Sequence, residues 1–324
     1  MREFEIGKND AGQRLDRFIS KALPLLPDAL AQKYIRIKRI KVNGRGAKRD
    51  RRLLIGDVLQ FYVNDEFFER PTWENAYLRI TEPVLDIVYE DENILLVNKP
   101  QGLLCHPASG GDWRSDTLVS RIQAKAYQGR EWRPGSENSF APALCNRIDR
   151  NTGGIVIAAK NAQALRVINE KIRQREIDKF YLAAILGAMR PREGELRGNI
   201  FRDTAKNQAY LKDTADGTRE AVLQYTTLEE ARELSLLECR LITGRTHQIR
   251  AQLADAGHPI LGDTKYGSKR ENARFDENRQ CLWSYRVAFN FRSPAGPLEY
   301  LGNKEFSVGA VPFAEKYFKF QNRH

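Results

Sequence analysis

One carboxylate in this chain sits on a basic loop, Asn146-Arg147-Ile148-Asp149-Arg150-Asn151-Thr152-Gly153-Gly154. Arg147 and Arg150 flank Asp149, and nearby cations favour the ionised form of a carboxylate and keep its charge available for chemistry. The Thr-Gly-Gly turn runs straight into the apolar stretch Ile155 to Ala159, which reads as a buried strand able to hold the loop in place. Taken alone, Arg-Ile-Asp-Arg favours a surface ion pair beside a turn, which is common and weak. Two segments further along shift that balance. They are Lys179-Phe180-Tyr181, whose tyrosine follows Asp149 by 32 residues, and Thr243-Gly244-Arg245-Thr246-His247-Gln248-Ile249-Arg250.

These residues need elements to carry them. Ile87-Val88-Tyr89 and Ile94-Leu95-Leu96-Val97, joined by the polar turn Asp91-Glu92-Asn93, read as a hairpin that ends at Asn98-Lys99-Pro100. The period around Leu165, Ile168 and Ile172 is helical, and Phe180 to Leu186, Val222 to Thr227 and Leu234 to Ile242 read as strands. Thr246 to Ala256 reads as a helix closed by Gly257. Residues 107 to 140, rich in Gly, Ser, Pro and charge around Ser109-Gly110-Gly111-Asp112, read as a long loop or lid near the site.

The first 64 residues have a different character. Leu15, Phe18, Ile19, Ala22 and Leu23 recur at helical spacing; Pro24 and Pro27 stop that helix, and Asp28 caps a second one with the stripe Leu30, Tyr34 and Ile37. Ile40-Lys41-Val42-Asn43-Gly44 reads as a strand into a turn, and Val58 to Val63 as an alternating strand. Between Lys33 and Arg52 there are ten Lys or Arg against one acid, a local excess of nine where the whole chain carries +11. Lys33, Arg36, Lys38, Arg39 and Lys41 lead that block, and such clustering is an electrostatic footprint for a polyanion. Residues 65 to 83 mix acids with Pro71, Trp73 and Pro83, show no sustained period, and read as a flexible linker.

Composition limits the remaining possibilities. With 324 residues and 41% apolar content, the chain can bury one large core and a smaller companion. No apolar run nears the roughly 20 residues that cross a bilayer, and Met1-Arg2-Glu3-Phe4-Glu5-Ile6 has no apolar signal core, so the expected location is the cytoplasm, with no membrane partner. The four cysteines (Cys105, Cys145, Cys239 and Cys281) stand singly, without zinc-binding spacing, and read as reduced thiols, Cys145 as a small buried hydrophobe.

The three separated motifs resemble, in order, those of the RluA-type pseudouridine synthases. The pattern there is roughly His-Arg-Leu-Asp-x-x-Thr-Ser-Gly, then Lys-x-Tyr, then Gly-Arg-Thr-His-Gln-Ile-Arg with a following Gly-x-Pro-Ile-x-Gly-Asp, here Gly257-His258-Pro259-Ile260-Leu261-Gly262-Asp263. The resemblance covers about residues 86 to 300, while residues 10 to 64 resemble an S4 RNA-binding domain. Together they imply an α+β fold: a mixed, mostly antiparallel central sheet in a catalytic domain with a C-terminal extension (84–324), a linker (65–83) and a small S4-like α/β RNA-binding domain (1–64). The implied reaction breaks the N1–C1′ bond of uridine, turns the uracil and rejoins it through C5, with no cofactor and no metal. No glycine-rich dinucleotide loop or Walker loop is present in the sequence.

By the resemblance, Asp149 is the catalytic carboxylate, attacking C1′ or taking a proton from C2′. Arg250 pairs with it, and Tyr181 stacks on the uracil. The target nucleotide must be extruded from its helix or loop, and Arg147 matches the arginine that fills the gap. Lys179 and Arg245 are expected as phosphate contacts or structural pairs, and His247 as a scaffold residue orienting the loop through a hydrogen bond. The expected partner is RNA, ribosomal RNA or a ribosomal precursor particle, acted on by a monomer. The sequence departs from the pattern at Asn146 (for His), Gly153 (for Ser) and Gln252 (for a His after the helix arginine). Two other readings stand beside this one: a catalytically weakened member serving as an RNA-binding or ribosome-assembly factor, and a nucleoside hydrolase or glycosidase, which wants a second carboxylate to position water, with none evident near these motifs in the sequence.

Overall fold

A computed structural model of the chain describes residues 1–68, 72–107, 116–134, 138–212 and 217–320, with backbone alone for 72–75. At the N-terminus, β1 (Arg2–Glu5), α1 (Leu15–Ala22), α2 (Asp28–Arg36), β2 (Ile40–Val42), β3 (Arg45–Gly46) and β4 (Val58–Phe61) build a four-stranded sheet of order β1-β4-β2-β3 under two helices. Leu15, Phe18 and Ile19 of α1 and Ala31 and Ile35 of α2 bury against Ile40, Val42, Leu59 and Phe61, so this unit has its own apolar core. The turn between β2 and β3 places Asn43 (φ 52) and Gly44 (φ 75) in the left-handed region, as a two-residue hairpin turn demands.

The second unit is built on one eleven-stranded sheet. Its elements begin with β5 (Ile87–Glu90), β6 (Ile94–Lys99), α3 (Leu118–Gln128), β7 (Ala143–Leu144), β8 (Gly153–Ala159) and α4 (Ala162–Arg173). They continue with β9 (Ile177–Leu186), β10 (Glu193–Asp203), β11 (Gln208–Lys212), β12 (Arg219–Ala231), β13 (Leu234–Leu241) and α5 (Gln248–Asp255). The chain finishes with α6 (Lys269–Arg274), β14 (Leu282–Phe289), β15 (Glu305–Ser307) and α7 (Pro312–Tyr317). The order is β11-β10-β12-β13-β9-β14-β8-β6-β5, with β15 on β14 and β7 on β8. Every pairing is antiparallel except β14 with β8, which makes this the mixed, mostly antiparallel sheet of an α+β fold.

The parallel junction is tight. Trp283 pairs with Gly153 and Ser284 with Gly154. A Cβ on Gly153 would stand 2.3 Å from the Trp283 ring; on Gly154 (φ +111) it would stand 2.2 Å from the Ser284 carbonyl oxygen. Side chains are thus excluded where β8 leaves the loop of Asp149. The strand that follows is buried along its whole length, which anchors that loop to the core.

Two expectations are modified by packing. Within the stretch read as a loop, residues 118–128 form α3, started by a reciprocal cap between Thr117 and Ser120 and buried through Leu118, Ile122 and Ala124; Ser109 to Asp112 lie outside the described residues. Within the stretch read as a linker, residues 65–68 and 72–79 wind into 3-10 turns, and Tyr77 is buried against Trp132, their rings 5.0 Å apart. The N-terminal unit also docks on the larger one. Asp10 accepts hydrogen bonds from Asn138 Nδ2 (2.8 Å) and Ser139 Oγ (2.6 Å), and Asn9 Oδ1 accepts from Ala162 N at the start of α4 (3.2 Å). The sequence pattern held no sign of these contacts, because short polar residues in a loop predict no partner.

Candidate active site

Asp149 lies on the loop between β7 and β8. Its backbone carbonyl accepts from Thr152 N (3.1 Å), and the neighbouring Arg150 carbonyl accepts from Gly102 N (2.8 Å). Beneath the loop, fully buried Lys99 at the end of β6 donates to the carbonyls of Pro100 (2.9 Å), Leu103 (2.9 Å) and Arg150 (3.1 Å). Burial pushes this ammonium down to about 8, with Cys105 and Asp149 pulling the other way. Three backbone dipoles therefore fix the loop through a single buried donor.

Arg250 comes from the buried face of α5 and ties two carboxylates together. Its Nη1 donates to Asp149 Oδ2 at 2.8 Å, while Nε and Nη2 form a two-pronged pair with Asp263 at 2.7 and 2.9 Å. Asp263 is fully buried, and Oδ1 also accepts from Lys265 N and Tyr266 N at 2.9 and 3.1 Å. Burial alone would lower the Arg250 pKa, but Asp263 and Asp149 outweigh it and raise it; burial opposes Asp263's charge, yet Arg250 and the two backbone N–H groups keep its pKa low. The guanidinium also lies 5.0 Å from the centre of the Tyr266 ring. A side chain held by one fork cannot move without breaking it, so Asp149 meets a cation fixed in position.

The turn before α5 is wound around Gln248. Its Oε1 accepts from Thr243 Oγ1 (2.8 Å) and Arg245 N (3.1 Å), and its Nε2 donates to the Val222 carbonyl (3.1 Å). This forces His247 into the left-handed region (φ 53) at the helix start and places its Nε2 3.8 Å from Asp149 Oδ2. Tyr181 on β9 is buried opposite Ser284 of β14, with which it shares a hydrogen bond; burial pushes its phenol well above the ordinary value, and Asp149 adds to the shift. Asp149 is thereby brought within electrostatic reach of both Arg250 and Tyr181.

Residues 93–255 match the RNA pseudouridylate synthase family. Among relatives, the chain is 30% identical over 279 residues to the uncharacterized RNA pseudouridine synthase YlyB of Bacillus subtilis, covering 86% of each chain. It is 31% identical over 288 residues to the ribosomal large subunit pseudouridine synthase D of Neisseria meningitidis, covering 86% of this chain and 72% of the relative. The chain belongs to the RNA pseudouridylate synthase family. In fold, the synthase is similar to the solved human RNA pseudouridylate synthase domain containing 4, with a TM-score of 0.54 at 20% identity over 70% of this chain and 89% of that one.

The other expected residues of the synthase are placed differently from one another. Arg147 is exposed two residues before Asp149, and its charge acts on Cys105 and His106. Lys179 is half-buried on the same side of β9 as Tyr181, with its pKa lowered by burial against the pull of Asp178. Arg245 donates to the Glu220 carbonyl at 2.9 Å and so is held to β12. Lys33, Arg36, Lys38 and Arg39 are exposed and Lys41 half-exposed on the N-terminal unit. Gln32, Lys33, Arg36, Lys48 and Arg49 line an open groove there.

The three departures each have a local answer. Asn146 Oδ1 accepts from Ile157 N (2.8 Å) and pins the loop to β8; Gly153 gives room to Trp283; Gln252 Nε2 donates to the carbonyls of Leu196 (2.8 Å) and Ala221 (3.3 Å), joining α5 to β10 and β12. The sequence assigned no role to Asp263, Lys99 or Tyr266, although the first two lie in segments quoted above. One signal was available for the first: an arginine on a buried helix face needs a buried counter-charge, and Asp263 stands in the matching segment. Among the described residues, no group of three His, Cys, Asp or Glu is placed to hold a metal ion, and no helix is long and apolar enough to cross a membrane.

Proposed function

We propose that this synthase converts specific uridines in structured ribosomal RNA, of the large subunit, to pseudouridine, with Asp149 as the catalytic residue and the target nucleotide extruded into the site. The observation that carries the reading is the Asp149–Arg250–Asp263 chain. Both Arg250 and the nearer His247 nitrogen face Asp149 Oδ2, and Oδ1 has no hydrogen bond among the described ones. Oδ1 is then the oxygen that attacks C1′ or takes the C2′ proton, while Arg250 holds the carboxylate in place through Oδ2. Tyr181 stacks on the uracil during its turn, and Arg147 fills the gap left in the RNA. The names of relatives, among them the large-subunit synthase of Neisseria meningitidis, support ribosomal RNA as the substrate class.

In this reading residues 1–64 are an S4-like RNA-binding domain whose exposed cations hold phosphates, supplying affinity with little sequence readout. The synthase works as a monomer in the cytoplasm, on ribosomal RNA or a precursor particle. The test is a transcriptome-wide map of pseudouridine in cells with and without the gene, repeated with Asp149→Asn in its place. Loss of one or a few large-subunit sites in both the deletion and the variant is expected. An unchanged ribosomal map overturns the substrate, and sites retained by the variant overturn the role of Asp149; an assembly defect with no lost site points to a ribosome-assembly factor instead.

A further inference from the structure

Tyr266 joins two parts of the site through one hydroxyl. Its oxygen accepts from Ala209 N on β11 at 2.7 Å and lies 2.9 Å from His247 Nδ1. An oxygen that accepts a hydrogen bond from the Ala209 N–H still has its own phenolic proton to donate, and the described structure offers it one acceptor, Nδ1. A neutral imidazole that accepts at Nδ1 carries its proton on Nε2. Nε2 is the nitrogen that faces Asp149 Oδ2, at 3.8 Å, a gap that sub-ångström closure around substrate converts to a hydrogen bond. The rings of His247 and Tyr266 meet edge-on with centroids 5.7 Å apart, and His247 is held in its left-handed backbone, so the arm has little freedom.

We propose that Tyr266 is a positioning residue that locks His247 in the Nε2–H tautomer, so that this proton and Arg250 together hold Asp149 Oδ2 and leave Oδ1 to the ribose. The inference rests on Asp149 being the catalytic carboxylate. The charges facing His247 are Asp149 from the loop, Arg250 from α5, and Asp263 and Lys265 from the turn that carries Tyr266; burial lowers its pKa first of all, Asp149 and Asp263 oppose this, and Arg250 and Lys265 add to it. His247 is therefore neutral at ordinary assay pH, and its tautomer decides what Asp149 sees. Once protonated, the ring carries a proton on both nitrogens whatever Tyr266 does.

That difference gives Tyr266→Phe a signature that a packing role lacks. The ring over Arg250 is kept and only the lock is lost. On a transcribed ribosomal RNA fragment, kcat of the variant falls about tenfold near pH 8 with KM unchanged, and the deficit closes as pH drops through the His247 pKa, below the ordinary value near 6.5. His247→Gln, whose amide places an N–H near the Nε2 position, retains more activity than His247→Leu. Independently of activity, 15N-histidine NMR on the full chain reads the tautomer directly, with four histidines to assign. An unprotonated Nδ1 in the parent and a mixed signal in Tyr266→Phe are expected. A parent protonated at Nδ1, parallel pH profiles for parent and Tyr266→Phe, or equal loss in Gln and Leu variants each overturn the proposal. A parent with the expected tautomer and no synthase activity on ribosomal fragments overturns the substrate assignment instead.

Discussion

Asp263→Asn tests the centre of the site without touching Asp149, the carboxylate proposed to react. The side chain of Asp263 is 0% exposed and that of Arg250 6%, so the substitution leaves a buried guanidinium with half its counter-charge. Removing one partner of a buried pair costs about 3–5 kcal/mol, and the asparagine keeps an acceptor for the Lys265 and Tyr266 N–H groups, which favours the lower end. A loss of about 3 kcal/mol in a chain of this size lowers Tm by roughly 5–10 °C. The freed fork of Arg250 then turns toward Asp149, and displacement of a positioned group by about 1 Å is worth up to about a hundredfold in kcat. The stability difference has a pH signature as well. The folded pKa of Asp263 is held low by Arg250, so its contribution is complete above the unfolded value of about 3.9 and disappears as pH falls through the folded value. Melting curves of parent and variant from pH 8 down to pH 3, with single-turnover assays at pH 7.5, measure all three. A variant that melts within about 1 °C of the parent at neutral pH and turns over at the parental rate refutes the claim that Asp263 fixes Arg250.

Three other outcomes follow from the same geometry. Asp149→Asn keeps the loop's shape and the RNA affinity but abolishes pseudouridine formation, a fall of several orders of magnitude when scored by chemical modification and primer extension. Gly153→Ser destabilises this chain by about 1–3 kcal/mol in denaturant melts, because its Cβ meets the Trp283 ring at 2.3 Å; combined with Trp283→Leu the costs are less than additive, whereas strict additivity would show that the two do not touch. Replacing Lys33, Arg36 and Arg39 together by alanine reduces the slope of log affinity against log salt by about one per residue while kcat on saturating RNA stays at the parental level; an unchanged slope means that this face does not contact phosphate.

Much of the fold was legible because period survives in the sequence wherever one face is buried. The alternation of β4, the unbroken apolar run of β8 and the helical stripe of α1 each state their burial directly. What was not legible depends on partners far along the chain. β10 alternates exposed and half-buried residues and contains Gly194 and Gly198, which weakens its strand signal; it becomes a strand because β12 pairs with it over eight residues and β11 over five. α3 was hidden by the glycines and charges on either side of it, although its Thr117–Ser120 cap was in plain view.

The site divides along the same line. Asp149, Tyr181 and Arg250 stand out because their motifs are local, whereas the groups that aim them come from elsewhere. Asp263 lies 13 residues beyond Arg250 across a turn, Lys99 lies at the end of a different strand, and Tyr266 reaches the site only because β11 offers it a backbone N–H. A sequence can advertise the group that reacts, since few residue types can do the chemistry. It cannot advertise a supporting donor whose value depends on which of two imidazole nitrogens it meets. That is why the pH profile bears most directly on Tyr266 and the melting curve on Asp263, two groups whose roles only the folded geometry assigns.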